Sequence, residues 1–137
     1  MKSKAKRGDG DEKKKKGQAL IEFTIILPIL LLIIMGIAEF GIMLNSYLTI
    51  QNASREGARQ GIMGANDYEI YNVVLDSLEN LDETKVNLTI TPSDTNRKSG
   101  DELKIKIEYQ YDLIIPIIKN ILGGSVILKG ETSMRVE

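Results

Sequence analysis

An uninterrupted apolar segment constrains the fold of this chain more than any other feature of its sequence. The sixteen residues from Phe23 to Ala38 carry no charge and are rich in isoleucine and leucine. With the apolar residues that flank it on both sides, the segment exceeds the roughly 20 residues that an α-helix needs to cross a bilayer. We therefore predict a transmembrane helix over residues 18–44, with the lipid bilayer as one partner of the chain.

A strongly basic leader precedes this segment. Residues 1–16 contain eight basic and three acidic residues, a net charge of +5, whereas residues 17–137 carry a net charge of −6. Basic residues beside a membrane span favour the cytoplasmic side. We therefore predict a single-pass protein of the cytoplasmic membrane, with its N-terminus inside and its C-terminal domain outside. Nucleic-acid binding is the competing interpretation of a lysine run. We do not expect it, because the run adjoins the apolar segment and has no aromatic partners.

The chain contains no cysteine and no histidine. Their absence excludes disulfides, thiol nucleophiles, zinc sites of the usual ligand types and histidine acid–base catalysis. Beyond residue 65, the acidic residues and lysines form no spaced catalytic constellation, and no glycine-rich phosphate-binding loop is present. We therefore expect neither enzyme activity nor a metal site or cofactor.

Gly17 lies at the junction between the basic leader and the apolar segment. A secretory signal would have a cleavage site with small residues beyond the apolar segment, but the sequence there is GIAEFGIMLNSY. Cleavage after Gly17 would instead remove the lysines, make Gln18 the first residue and Glu22 the fifth, and leave the helix attached. This arrangement is typical of a type IV prepilin-like signal.

The stretch GQALIEFTIILPILLLIIMGIAEFG, followed by NASREGARQGI, resembles the TadE-like pseudopilins of the tight-adherence (Tad/Flp) pilus system. The resemblance covers residues 17–65 and, more weakly, the C-terminal SVILKGETSMRVE. It implies trimming after Gly17 by a prepilin peptidase on the cytoplasmic side. It also implies a minor pilin-like role in pilus assembly and adherence, beside other pilin-like subunits and the assembly machinery. The matching residues are Gly17, Glu22, Phe23, Leu27, Pro28, Glu39, Phe40, Gly41 and Ala53 to Arg59.

Glu22 is an acid at the start of a segment that should enter the membrane. A carboxylate costs about 2.5–3.5 kcal/mol at the bilayer centre and less near the interface. One interpretation is an acid that is partly solvated at the interface. The other is a paired acid, because trimming would create an α-amino group on Gln18, on the same helix face. The resemblance implies that Glu22 meets the terminal amine of a neighbouring subunit, and we favour pairing.

Two further residues of the helix can each be interpreted in two ways. Pro28 is either a tolerated proline of a membrane helix or a kink that fits the helix into an assembly. Glu39 marks either the outer membrane interface or a buried polar contact. Because Asn45 and Tyr47 follow it, we favour the interface.

Small residues recur every four positions where the helix continues through LNSYLTIQNASREGARQGIMGAN. Such a ridge allows another backbone to approach closely. We expect the chain's own sheet to pack on it, and a partner subunit is the alternative. The residues of this small-residue ridge are Ala53, Gly57, Gly61 and Ala65.

The remaining sequence predicts a second helix and a short antiparallel sheet. Asn66 and Glu69 form a capping-box pattern, and an apolar stripe then predicts a helix near Tyr68–Leu81. Alternating residues predict strands around 86–90, 103–111 and 126–136. Between the last two, LIIPIIKNILGG is either a short helix or a buried loop, and it has the composition to touch the membrane surface. The stripe consists of Tyr71, Val74, Leu75, Leu78 and Leu81.

The predicted fold is therefore α+β and pilin-like, with a leader at 1–17, a transmembrane helix at 18–44 and an extracytoplasmic domain at 45–137. The predicted function is that of a minor pilin-like structural protein. The alternative is an uncleaved single-pass anchor that presents a binding or sensing domain. Such an anchor would share the topology but would need neither Gly17 nor Glu22.

Overall fold

The computed structural model describes residues 5–137, so residues 1–4 of the predicted leader lie outside it. Contacts divide the chain into two compact units, one that ends at Ala38 and one from Glu39 to Glu137. Single 3₁₀ turns lie at Glu83–Lys85 and Asp94–Asn96. In chain order, the helices and strands are α1 (Ala5–Ile62), α2 (Asp67–Ser77), β1 (Val86–Thr91), β2 (Glu102–Asp112), α3 (Pro116–Leu122) and β3 (Ser125–Arg135).

Helix α1 is 58 residues long and contains the apolar segment. Its most apolar window of 18 residues has a mean hydropathy of 2.7, and none of that window is buried. Pro28 lies inside this helix, which continues on both sides of it. By length and composition, α1 can cross a membrane, so the chain fits a single-pass membrane protein.

The three strands form one antiparallel sheet in the order β1-β2-β3. Central strand β2 pairs Ile105 with Ile90 of β1 and with Thr132 of β3. Every second side chain of β2 points into the core, which follows from the two-residue period of a strand. The buried residues of β2 are Leu103, Ile105, Ile107, Tyr109 and Tyr111.

Helix α2 begins at the predicted capping box. The Asn66 side chain accepts a hydrogen bond from the Glu69 N–H at 2.9 Å, and the Glu69 carboxylate accepts one from the Asn66 N–H at 3.0 Å. The helix ends at Ser77, four residues before the predicted end, because Leu78 already closes a turn by donating to the Leu75 carbonyl. The predicted stripe was wrong at one position, since Ile70 is buried and Tyr71 is exposed.

The C-terminal part of α1 and helix α2 cover the buried face of the sheet. A Cβ at Gly57 would lie 2.6 Å from Val74 of α2 and 3.6 Å from Ile105 of β2. On the sheet, Gly130 of β3 lies directly under Ile50 of α1. The helix and the sheet therefore pack closely because both carry glycines where they meet.

These elements confirm the predicted α+β, pilin-like fold class. The two compact units divide after Ala38, whereas the sequence predicts the end of the membrane span at residue 44. The difference arises because Glu39 is buried, and Met43 packs against the core, in the second unit. The predicted limits of leader, span and outer domain stay predictions, because they refer to a bilayer.

We expect Gly130→Ala to lower the free energy of unfolding by about 1–3 kcal/mol, as overpacking of a core does. The added Cβ would lie 3.0 Å from the carbonyl carbon and oxygen of Ile50, and a helix backbone cannot move aside. Thermal unfolding of the full chain in detergent, followed by circular dichroism, measures the effect.

Gly41→Ala is the matched control for this substitution. Gly41 lies in α1, and a Cβ there would meet nothing within 4 Å in the described structure. Alanine should leave stability unchanged or raise it by roughly 0.5–1 kcal/mol. Equal unfolding temperatures for Gly130→Ala and the unchanged chain would contradict the close helix–sheet packing.

Candidate functional site

Gly17 lies within α1, and its position is not determined by packing. A Cβ at residue 17 would have no neighbour within 4 Å among the described residues. Glycine inside a helix costs roughly 0.5–1 kcal/mol relative to alanine. The fold of the chain therefore gives no reason for glycine at this position.

Gln18 and Glu22 lie one helical turn apart on the same face of α1. The Gln18 side-chain amide donates to the Glu22 carboxylate at 3.2 Å, and both side chains are exposed. This contact brings together two of the residues that the sequence singles out. It is an exposed contact between neighbours in one helix, so it leaves the carboxylate accessible to other groups.

The side chains that follow Glu22 form an apolar, exposed helix surface. Phe23 is 60% exposed, and Ile25 and Ile29 are exposed to a similar degree. Pro28 lies on the same stretch and has no N–H to donate to the Thr24 carbonyl. So much apolar surface is stable only against lipid or other apolar helices.

The small-residue ridge lies against the chain's own domain. Ala53, Gly57 and Gly61 are buried, and Gly61 packs against Leu103 of β2. Ala65 is half-buried, and its carbonyl accepts a hydrogen bond from an Arg97 Nη1–H at 2.9 Å. In the structure, the chain's own sheet and α2 therefore occupy the surface of this ridge. From the sequence alone, a partner subunit was the alternative occupant of that surface.

Glu39 is the most enclosed acid of the C-terminal unit, with 4% of its surface exposed. Its carboxylate accepts a hydrogen bond from the Tyr111 hydroxyl at 2.9 Å. It accepts two more from backbone N–H groups, from Ile114 at 3.0 Å and from Ile115 at 2.8 Å. We call this arrangement of Glu39, Tyr111, Ile114 and Ile115 the glutamate clamp.

The clamp forms where the chain leaves the sheet and enters α3. Strand β2 ends at Asp112, and α3 begins with Pro116. Between them, the Leu113 N–H still donates to the Gly124 carbonyl, whereas those of Ile114 and Ile115 have no partner in the sheet. Ile115 is the N-cap of α3, but its apolar side chain cannot accept a hydrogen bond. Glu39, from a different element, accepts instead from the N–H groups of Ile114 and Ile115 just before the first helical residue, and its negative charge suits a nearby helix N-terminus.

The favoured prediction for Glu39, an acid at the outer membrane interface, refers to a bilayer and stays a prediction. The structure has the buried polar contact that the sequence left as the alternative. The partners of Glu39 are 72 to 76 residues away along the chain, and two of them are backbone N–H groups. Backbone N–H donors leave no pattern of side chains in the sequence that would predict them. The only signal in the sequence was an acid within a largely apolar stretch.

Tyr111 remains a hydrogen-bond donor over a wide pH range. Burial raises the pKa of its hydroxyl to about 12, and the hydrogen bond to Glu39 acts in the same direction. The neutral hydroxyl therefore keeps donating to the carboxylate well above neutral pH.

Arg97 is a second buried charge that the sequence did not reveal. It donates to the Asp67 carboxylate at 2.6 Å, and its side chain is 7% exposed. This pair joins the loop after β1 to the start of α2. In the sequence, Arg97 is only one polar residue of a turn-rich loop, so no periodic signal marks it.

The outer face of the sheet carries paired charges around a shallow groove. Glu108 lies 2.9 Å from Lys106 and 3.7 Å from Lys129, and Lys85 lies 2.6 Å from Asp112. Within residues 8–137, no group of three or more acidic side chains is placed to hold a metal ion. These ion pairs lie on the solvent-exposed surface of the sheet, where water screens them and each contributes little to stability.

The fold and these sites together fit a single-pass membrane protein with a pilin-like α+β domain. The sequence model of the TadE-like protein family matches residues 17–59. This match confirms the predicted resemblance to the TadE-like family over those residues. No curated protein and no solved structure matches the chain.

We expect Glu39→Ala to lower the free energy of unfolding of the C-terminal unit by about 3 kcal/mol. The substitution leaves three donors without their acceptor, and each such group costs about 1–3 kcal/mol. Thermal unfolding in detergent measures the loss. Glu22→Ala is the matched control, because it removes an exposed acid of the same helix. Equal unfolding temperatures for the two variants would contradict the clamp.

Tyr111 should also make the stability of the domain depend on alkaline pH. The hydroxyl ionises near pH 10.0 when unfolded and near 12 when folded. Its stabilising contribution is therefore complete below pH 10 and decreases as the pH rises toward 12. In a tyrosinate absorbance titration, Tyr111→Phe should remove the ionisation near pH 12 and flatten this decrease. Identical titration curves for both proteins would show that Tyr111 is not the shifted group.

Proposed function

We propose that this chain is a minor pilin-like component, a pseudopilin, of a tight-adherence type IV pilus system. A prepilin peptidase cuts after Gly17 on the cytoplasmic side, and the trimmed chain acts in pilus assembly and adherence. The observation that carries this proposal is the stretch from Gly17 to Phe23. It joins a basic leader to an exposed apolar helix, and it begins the segment that matches the TadE-like family.

Gly17 supports the cleavage step. It weakens the helix, and no described residue packs against it in return. We therefore infer that glycine at this position serves a molecule that acts on the chain. A protease active site needs close access to the backbone, which glycine permits. Gly17 and Gln18 are exposed, and so are the four lysines directly before them, Lys13 to Lys16.

Glu22 supports the assembly step. Its described hydrogen bond is one 3.2 Å contact with the Gln18 amide, which is a weak partner for a carboxylate near hydrocarbon. After trimming, every subunit carries a positive α-amino group at residue 18. A carboxylate and an ammonium group in a low-dielectric region attract strongly, and each offsets part of the cost of removing the other from water. Pairing of Glu22 with the amine of a neighbouring subunit would therefore set the axial position of each helix.

Phe23 and Pro28 complete the proposed assembly surface. Phe23 is an exposed aromatic side chain next to Glu22 and is available for contact with a neighbouring helix. Pro28 frees the Thr24 carbonyl from its usual helix donor, so α1 can bend there to fit its neighbours. The proposed partners are other pilin-like subunits, the assembly machinery and the bilayer.

The cleavage step is tested by intact mass and N-terminal sequencing of the full chain, expressed with and without a prepilin peptidase. We expect a new N-terminus at Gln18 that depends on the peptidase. Gly17→Leu should abolish this product, because a bulky side chain blocks access to the bond. Gly41→Leu is the control, since Gly41 is equally open within the same helix, and it should be cut normally.

The assembly step is tested with Glu22→Ala and Glu22→Gln. Both variants should be cut at residue 17, yet lose co-purification with pilin-like subunits of the same system, because neither can pair with an amine. An intact leader under all conditions would instead favour the uncleaved single-pass anchor with a binding or sensing domain. Normal co-purification of both variants would refute the pairing role of Glu22.

A further inference from the structure

Helix α3 and the residue before its N-cap expose an apolar surface that the proposed function does not use. Ile121 is 75% exposed, and Ile114 is 63% exposed. Ile117 and Leu122 are each at least half exposed. These four residues form the α3 patch, which has too much apolar surface for a short segment meant to face only water.

The glutamate clamp sets the position of this patch along α1. The backbone N–H groups of Ile114 and Ile115 donate to Glu39, so the start of α3 lies beside residue 39 of the helix. The predicted span ends at residue 44. At 1.5 Å per residue, that end lies about 7.5 Å beyond Glu39 along the helix axis.

The length of the apolar segment independently places Glu39 inside the span. The residues from Phe23 to Ala38 cover about 24 Å as a helix, less than the ~30 Å thickness of the hydrocarbon core. Counted from Phe23, the roughly 20 residues that a bilayer requires extend to Ile42. Near Glu39, the helix exposes Phe40, Ile42 and Leu44, although Glu39 itself is buried by the domain.

We propose that the α3 patch inserts into the outer leaflet of the same bilayer that α1 spans. The clamp holds α3 at the depth where the exposed face of α1 is still apolar, so lipid that covers Phe40 and Ile42 also covers Ile121. Lys119 is exposed within α3, and it can reach the phosphate groups of the lipids. Interfacial helices with this composition bury their apolar face about 5–10 Å deep.

This inference rests on the membrane anchoring in the proposed function and is independent of cleavage after Gly17. It gives the C-terminal domain a second attachment to the membrane, apart from α1. Any step that withdraws the subunit from the bilayer must then also remove α3 from the leaflet.

The experiment uses single-cysteine variants, which is convenient because the chain has no cysteine of its own. The full chain is reconstituted in vesicles of phosphatidylethanolamine and phosphatidylglycerol, with a nitroxide spin label at Ile121→Cys or Ile117→Cys. Electron paramagnetic resonance then measures the accessibility of the label to oxygen, which concentrates in lipid, and to a water-soluble nickel complex. Leu30→Cys is the control for a position in lipid. Tyr68→Cys is the control for a position in water, because Tyr68 is an exposed side chain of α2.

We expect the oxygen-to-nickel accessibility ratio at residues 117 and 121 to exceed that at residue 68 several-fold and to approach that at residue 30. A ratio like that of residue 68 would show that α3 faces water and would overturn the proposal. Low accessibility to both reagents would show a protein partner, such as a second copy, and would overturn it as well. A water-like ratio at residue 30 would refute the membrane span itself, whether or not the chain is cleaved.

Discussion

A buried carboxylate joins two parts of the C-terminal unit that are 72 to 76 residues apart in sequence. Glu39 accepts hydrogen bonds from Tyr111, Ile114 and Ile115, so the end of β2 and the start of α3 are tied to α1. An ionised acid away from water is costly unless donors surround it. Three donors, two of them from a helix N-terminus, meet that requirement. The position of α3, the boundary between the compact units and the exposed apolar patch all depend on this contact.

Helix α1 changes its role along its length because its composition changes. From Phe23 to Ala38 its large apolar side chains are exposed, which suits a helix surrounded by lipid. From Glu39 onward only one face is buried, and small residues on that face admit the sheet and α2. Gly57 and Gly61 are needed because neighbouring side chains occupy the space of a Cβ, whereas Gly17 has no such neighbour among the residues that the structure describes.

This contrast separates residues that serve the fold from residues available to other molecules. The match to the TadE-like family includes both kinds, since it extends from Gly17 through the buried part of α1 at residue 59. Glu39, Ala53 and Gly57 have their partners inside the chain. Gly17, Glu22 and Phe23 lie on an exposed helix surface, which is where recognition by a protease or a neighbouring subunit can act. The role that we propose needs both: a stable domain and a helix free to pack with others.

The sequence by itself determined the features that depend on spacing within one element. The apolar segment, the capping box at Asn66 and the alternation of β2 each follow from residues a few positions apart, because helices and strands impose their own periods. Only the tertiary structure decided that Glu39 is buried, that Ile70 rather than Tyr71 faces the core, and that Arg97 pairs with Asp67. These outcomes depend on which distant segments meet across the domain. Such contacts leave no period in the sequence, and at Glu39 two of the three donors are backbone groups that every residue except proline carries.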